Sequence, residues 1–174
     1  GDNNNITDGC CLPDDPAGNT SYLHLADDGA VLYKSIYDFS GLQFDIVDGL
    51  VNGAEAASGG AAEEAGLTMS TSGPDGTDSN NSRVLGFTMD GTFIPAGCGV
   101  LTNLDLQGGA AGLDAISISN TLGELIVFDN YPEIILGCMD ETACNYDSSA
   151  QAEEYGEVFS CTGTDPGVDY TAAV

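Results

Sequence analysis

A chain of 174 residues, 42% of them apolar, can bury one real core, because folding at this length removes roughly 70% of the unfolded surface from water. Lys34 and Arg83 stand alone against 28 carboxylates, for a net charge of −26. The apolar content argues against a disordered acidic tail, and the lack of clustered Lys and Arg argues against a nucleic-acid partner or an anionic membrane surface.

Residues 1–20 are rich in Asn, Asp, Gly and Pro and are expected to form an extended N-terminal arm. Alternation starts at SYLHLA, where Leu23 and Leu25 face one side and Tyr22 and His24 the other. His24 is therefore expected at the surface. AVLYKSIY follows as a short strand. In SGLQFDIV, Leu42, Phe44 and Ile46 alternate with Gln43 and Asp45, the pattern of a half-buried strand. AEAASGGAAEEAG has helix-like Ala and Glu, but Gly59 and Gly60 break it, leaving a short helical turn over 61–65. GLTMSTS, RVLGFTM, GVLTNLDLQG, DAISIS and GELIVF restore the alternation, with Gly, Asp, Asn and Pro clusters between them. Short strands with regular turn signals predict an all-β fold, an antiparallel β-sandwich over 21–130. Beyond that the pattern fades, and 131–174 is expected to be a small acidic tail module containing cysteines.

The six cysteines, Cys10, Cys11, Cys98, Cys138, Cys144 and Cys161, are an even set in an acidic, polar chain. That favours disulfides and a secreted or cell-surface location. Connectivity stays open, except that the adjacent Cys10 and Cys11 are expected to bridge to different places, one of them to a second chain in one reading. The chain opens on the polar GDNNNITDG and shows no apolar run long enough to span a bilayer. It is expected to be processed and exported, without membrane insertion. The sequons at Asn5, Asn19 and Asn80 count only where the source glycosylates.

GCMDETACNYDSSA, in the tail, asks for a chemical reading. Cys138 and Cys144 are separated by five residues with no basic neighbour, which disfavours a redox pair. The only histidine, His24, is distant in sequence, which disfavours zinc. A structural disulfide is the plain expectation. Asp140, Asn145 and Asp147 with Glu153 or Glu154 are candidate calcium ligands, although their spacing does not match an EF-hand. Asp75 and Asp78 in PDGTDSNN are a rival loop, and the alternative for both is a solvated acidic face. Calcium would also relieve the self-repulsion of so many carboxylates. No nucleophile-elbow, zincin or P-loop motif occurs. Carboxylate pairs for glycoside hydrolysis abound, but without Trp a sugar-stacking cleft is disfavoured. No enzymatic activity is expected.

The stretch from YDFSGLQFDIV through the ASGG segment, with RVLGF and TFIPAGCGVLTNLDLQG, resembles cohesin-like domains, in particular the modules of large marine microbial surface proteins. It covers roughly residues 20–128. The resemblance implies a nine-stranded jelly-roll sandwich, extracellular, that attaches proteins to one another. A cohesin proper binds a calcium-loaded dockerin through one sheet face. This chain carries no dockerin-like duplicated calcium loop, so such a partner would be another chain. The tail is similar to a short GC-x-D-x-x-A-x-NYD repeat of secreted proteins, a disulfide-closed linker module, with the usual Asp-Asp-Gly before Ser-Cys replaced and lengthened.

Two functions compete at this point. One is a structural subunit of an extracellular filament or surface layer, joining copies of itself through termini and sheet edges. The other is a cohesin-type receptor for a dockerin-like partner. A carbohydrate-binding or adhesive module is the third class.

Overall fold

The computed structural model describes residues 8–12, 17–73 and 81–131. Residues Ile6–Pro132 group as one compact unit. Its strands are β1 (Ser21–Leu25), β2 (Ala30–Ser35), β3 (Gly41–Val47), β4 (Ala57–Ser58), β5 (Thr68–Ser72), β6 (Ser82–Phe87), β7 (Gly97–Leu104), β8 (Gly112–Ser119), β9 (Leu125–Ile126) and β10 (Phe128–Asn130). They form two five-stranded sheets, ordered β10-β1-β2-β7-β4 and β5-β6-β3-β8-β9. All strand pairs are antiparallel except β1 with β10, which run parallel. The chain is thus an all-β sandwich. The alternating segments of the sequence become its strands, while β4 was hidden in the Ala- and Gly-rich stretch. The short helix α1 (Gly60–Glu64) starts at the glycine pair, where Gly59 and Gly60 take φ of 70° and 69°. These are left-handed values that a side chain disfavours.

The inward rows of both sheets make the core. Leu23, Val31, Phe44, Ile46, Val84 and Leu101 are fully buried in one cluster, with Phe39 and Ile94 closing it near one end. Phe39 stacks edge-on against Tyr33 and Phe128, geometry that suits the ring quadrupoles. On β8 the register slips by one residue between Gln43 and Asp45 of β3, and Ala115 takes φ of 48° there. This bulge turns Asp114 and Ala115 outward together and returns Leu113 and Ile118 to the core.

A second cluster covers the outer face of the first sheet. Residues 9–11 form a 3-10 turn capped by the Asp8 carboxylate, which accepts from Cys10 N–H (2.9 Å). Leu12 then inserts against Ala26, Ala30 and Leu32 and is fully buried. Four features hold this strap: the Cys10–Cys98 disulfide, the buried Leu12, a 2.7 Å hydrogen bond from Lys34 Nζ to the Leu12 carbonyl, and Gly9. A Cβ on Gly9 would clash with the carbonyl oxygens of Tyr33 and Gly99. So residues 8–12, from the stretch expected to be an arm, lie on the chain's own sheet. From the other side Tyr131 stacks edge-on against Tyr22.

Candidate interaction surface

Among the described residues His24 and Asp45 are buried, and each has a structural partner. His24 corrects a sequence expectation, because it is buried at 5% exposure rather than displayed at the surface. Its strand does alternate as read, but the outer face of β1 is covered by the segment that ends in Tyr131. His24 Nδ1 lies 2.8 Å from the Tyr131 carbonyl, and since a carbonyl only accepts, that nitrogen carries the proton and donates. Asp45 faces outward on β3, as its position in the alternation implies, yet it too is buried. Arg83 on the neighbouring strand lies over it, donating from Nε (2.6 Å) and a terminal nitrogen (2.8 Å) to its two oxygens. This bidentate pair is well suited to a buried carboxylate.

Asp90 sits in the exposed β6–β7 connection. Hydrogen bonds from the Thr88 hydroxyl, then from the Thr92 N–H and hydroxyl, hold its carboxyl below the usual aspartate range. Burial raises Tyr33 and Tyr131 above the usual tyrosine range, with smaller contributions from the Glu64 carboxylate and from Tyr22 respectively. Among the described residues no three His, Cys, Asp or Glu side chains converge as a metal site would require. The calcium candidates Asp140, Asn145, Asp147, Glu153 and Glu154 lie outside the described residues, as do Asp75 and Asp78, Cys138, Cys144 and Cys161, and the sequons at Asn5 and Asn80. Asn19 is exposed just before β1. Cys10 pairs with Cys98, while its neighbour Cys11 is exposed with a free thiol. A hollow of about 70 Å³ between Leu25–Asp27 and Leu106–Ala110 is far below the ~300 Å³ of a small-ligand site. No helix among the described residues is long and apolar enough to cross a membrane.

The sandwich has two unlike ends. β2 leaves the first sheet at Ser35 and β3 enters the second at Gly41, so the short connection 36–40 joins the sheets at one end. The registers Ser35↔Gly97, Gly41↔Phe87 and Ser119↔Leu125 bring the β6–β7 connection and the β8–β9 hairpin to that same end. The Phe39↔Ile94 bridge, and the hydrogen bond from Ser40 Oγ to the Asn120 carbonyl, tie the three connections together. Large apolar side chains stand exposed there: Ile36 and Tyr37 from the first connection, Met89 (91% exposed) and Phe93 from the second, Leu122 (80%) from the hairpin. The remaining exposed ones adjoin this end. Phe87 and Leu85 lie outward on β6, Leu125 opens β9, and Val127 follows it.

At the opposite end are the turn 26–29 and the connections after β3 and β7. They display Asp27, Asp28, Asp48, Glu55 and Asp105, and none of the exposed large apolar side chains. Sequence reading missed the apolar end because its residues come from three connections far apart in the chain. The signal was present only as isolated apolar residues in turn sequence, such as Met89 and Phe93 around Asp90-Gly91.

The two outer faces of the sandwich also differ. That of the first sheet is closed by residues 8–12 and Tyr131. That of the second has no such cover among the described residues. Its first row, Thr68–Phe87–Gly41–Ser119–Leu125, and its second, Ser70–Leu85–Gln43–Ser117, follow from the strand registers. Neither a protein-family model, nor a curated protein, nor a solved structure matches the chain.

Proposed function

We propose that this protein is a non-enzymatic subunit of an extracellular assembly, acting by binding protein rather than by chemistry. The observation that carries this reading is the gathering of the exposed large apolar side chains of the described residues at one end of the sandwich and on the sheet face beside it. Contiguous exposed apolar surface on a folded domain marks a place where another surface docks. The Cys10–Cys98 disulfide supports an oxidising compartment, and extracellular placement is part of the proposal. Calcium is the cation we assign to offset the −26 charge.

Sheet edges support the reading less well than the notion of strand addition would need. Of the four edge strands, β4 and β9 are two residues long and β10 three, and short edges blunt pairing with another chain, which leaves the five-residue β5 as the one longer edge. We therefore place the binding on the apolar end and face. Electron microscopy of the native chain in calcium, then in chelator, tests it. Ordered assemblies are expected in calcium and should come apart in chelator, and Leu85→Asp with Phe87→Asp should prevent them. Monomers under every condition would sink the reading.

The second reading, a cohesin-type receptor, is favoured by one observation: the outer face of the second sheet has no covering segment among the described residues, and the resemblance to cohesin-like modules implies docking through a sheet face. Capture of a calcium-loaded dockerin-like module by the wild-type chain, lost in Gln43→Arg, is its signature.

A further inference from the structure

We propose that Asn52 is a site of spontaneous deamidation in the folded protein, and that the modification unfastens the segment stitching the two sheets together along one side. The proposal is independent of the protein-binding reading.

Asn52 is followed by Gly53, whereas every other asparagine of the chain is followed by a residue that carries a side chain. An asparagine loses its amide when the nitrogen of the next residue attacks it, and a glycine there leaves the approach unhindered, having no Cβ. The fold keeps this pair available. Asn52 and Gly53 are both exposed. Among the described residues the Gly53 N–H has no hydrogen-bond partner, so its proton can pass to solvent. Gly53 takes φ of 107°, and no atom lies within 4 Å of the place a Cβ would occupy. Gly29, which follows Asp28, is the contrast: its N–H is tied to the Ala26 carbonyl at 3.0 Å.

The atoms balance with water alone. The Gly53 nitrogen, having lost its proton to solvent, bonds to Asn52 Cγ. The Cγ–Nδ2 bond breaks, and Nδ2 takes a proton from water and leaves as ammonia. The product is a cyclic succinimide, which water then opens. Opening at Cγ gives aspartate. Opening at the main-chain carbonyl carbon gives isoaspartate, whose backbone runs through Cβ and Cγ. Nothing is oxidised or reduced.

The place gives the reaction a structural consequence. Asn52 Nδ2 donates to Asp105 Oδ1 at 2.7 Å. Aspartate at 52 has no such donor and sets a carboxylate against a carboxylate. Isoaspartate also lengthens the backbone of a segment that is bonded on both sides. Toward the first sheet, Asn52 N–H donates to the Asp105 carbonyl (2.9 Å), and Gln107 N–H to the Leu50 carbonyl (2.7 Å). Toward the second sheet, Val51 N–H donates to Ser82 Oγ (3.2 Å). There Thr71 also donates, from N–H to the Ala54 carbonyl (3.0 Å) and from Oγ1 to the Gly53 carbonyl (2.6 Å). A longer backbone at 52 puts these two sets of bonds out of register.

The test is ageing of the native full chain at mildly alkaline pH, beside a sample in urea. Peptide mapping by mass spectrometry reads aspartate at 52, and enzymatic methylation of isoaspartate reads the other product. Modification of the native chain at Asn52, ahead of every other asparagine, is expected. Modification confined to the urea sample would overturn the proposal, because the fold would then be locking Asn52. A native chain unmodified at 52, or modified first elsewhere, would overturn it as well. The consequence is read by hydrogen exchange, each protein against its own fresh sample. In the modified fraction the Thr71 and Gln107 amides should exchange faster by about fivefold or more, the equivalent of one lost hydrogen bond. Asn52→Gln, whose succinimide counterpart is a larger ring that closes far more slowly, should show no change on ageing. Modified wild-type chain that exchanges like fresh chain would remove the unfastening, and equal change in Asn52→Gln would assign it to another site.

Discussion

The Asp45–Arg83 pair shows how one position escapes a correct periodicity. Asp45 belongs on the outward row of β3, and alternation places it there. It is nonetheless buried, because Arg83 from β6 covers it with two hydrogen bonds of 2.6 and 2.8 Å. The partners are not equivalent, since the Asp45 side chain is 9% exposed and that of Arg83 is 37%. Removing the arginine strands a carboxylate away from water, whereas removing the carboxylate frees a long side chain to reach solvent. Arg83→Met is therefore expected to cost about 2–4 kcal/mol and Asp45→Asn roughly half as much or less. Urea denaturation of the two variants checks the order, and equal costs would argue against this asymmetry. His24 teaches the same lesson. Its side of β1 was legible, while the Tyr131 carbonyl that covers it comes from 107 residues away.

Among the elements, the strap of residues 8–12 is the one that composition describes least well. Asn, Asp, Gly and Pro in the first 20 residues suggest an extended arm, but a single apolar residue and a single cysteine seat part of it. Leu12 fills the second cluster, and Cys10 ties it to the start of β7 across 88 residues. Closing a loop that long is worth about 4–5 kcal/mol in the chain-entropy model. Cys10→Ser with Cys98→Ser should therefore lower stability by about 2–5 kcal/mol by chemical denaturation. It should also speed hydrogen exchange in β2, which loses the cover on its outer face. A double variant as stable as the wild type, with β2 still protected, would show that Leu12 and Lys34 hold the strap unaided. The strands themselves were legible, since β1, β3, β6 and β8 follow the apolar-polar alternation of their segments. β4 was not, because two residues carry no period, and the parallel pairing of β10 with β1 has no local signature at all.

At the scale of the whole molecule, the described residues of the sandwich differ between its two ends. The carboxylates Asp27, Asp28, Asp48, Glu55 and Asp105 gather at one end and the exposed large apolar side chains at or beside the other. A net charge of −26 opposes compaction, so stability should rise with ionic strength. Calcium should raise the melting temperature more than sodium at equal ionic strength if carboxylates coordinate it, and a chelator should reverse the gain. Equal responses to the two cations would reduce the effect to screening and remove calcium as the assigned cation.

The amino-acid sequence by itself determined the class of fold, because alternation of period two with turn residues between leaves a half-buried sheet as the way to bury Leu42, Phe44 and Ile46. It also determined the net charge of −26. The tertiary structure alone decided which outer face is closed, which cysteine pairs with Cys98, and where the apolar surface gathers. Each of these depends on residues that are distant in the chain and carry no shared period, so only the closing of the two sheets brings them together.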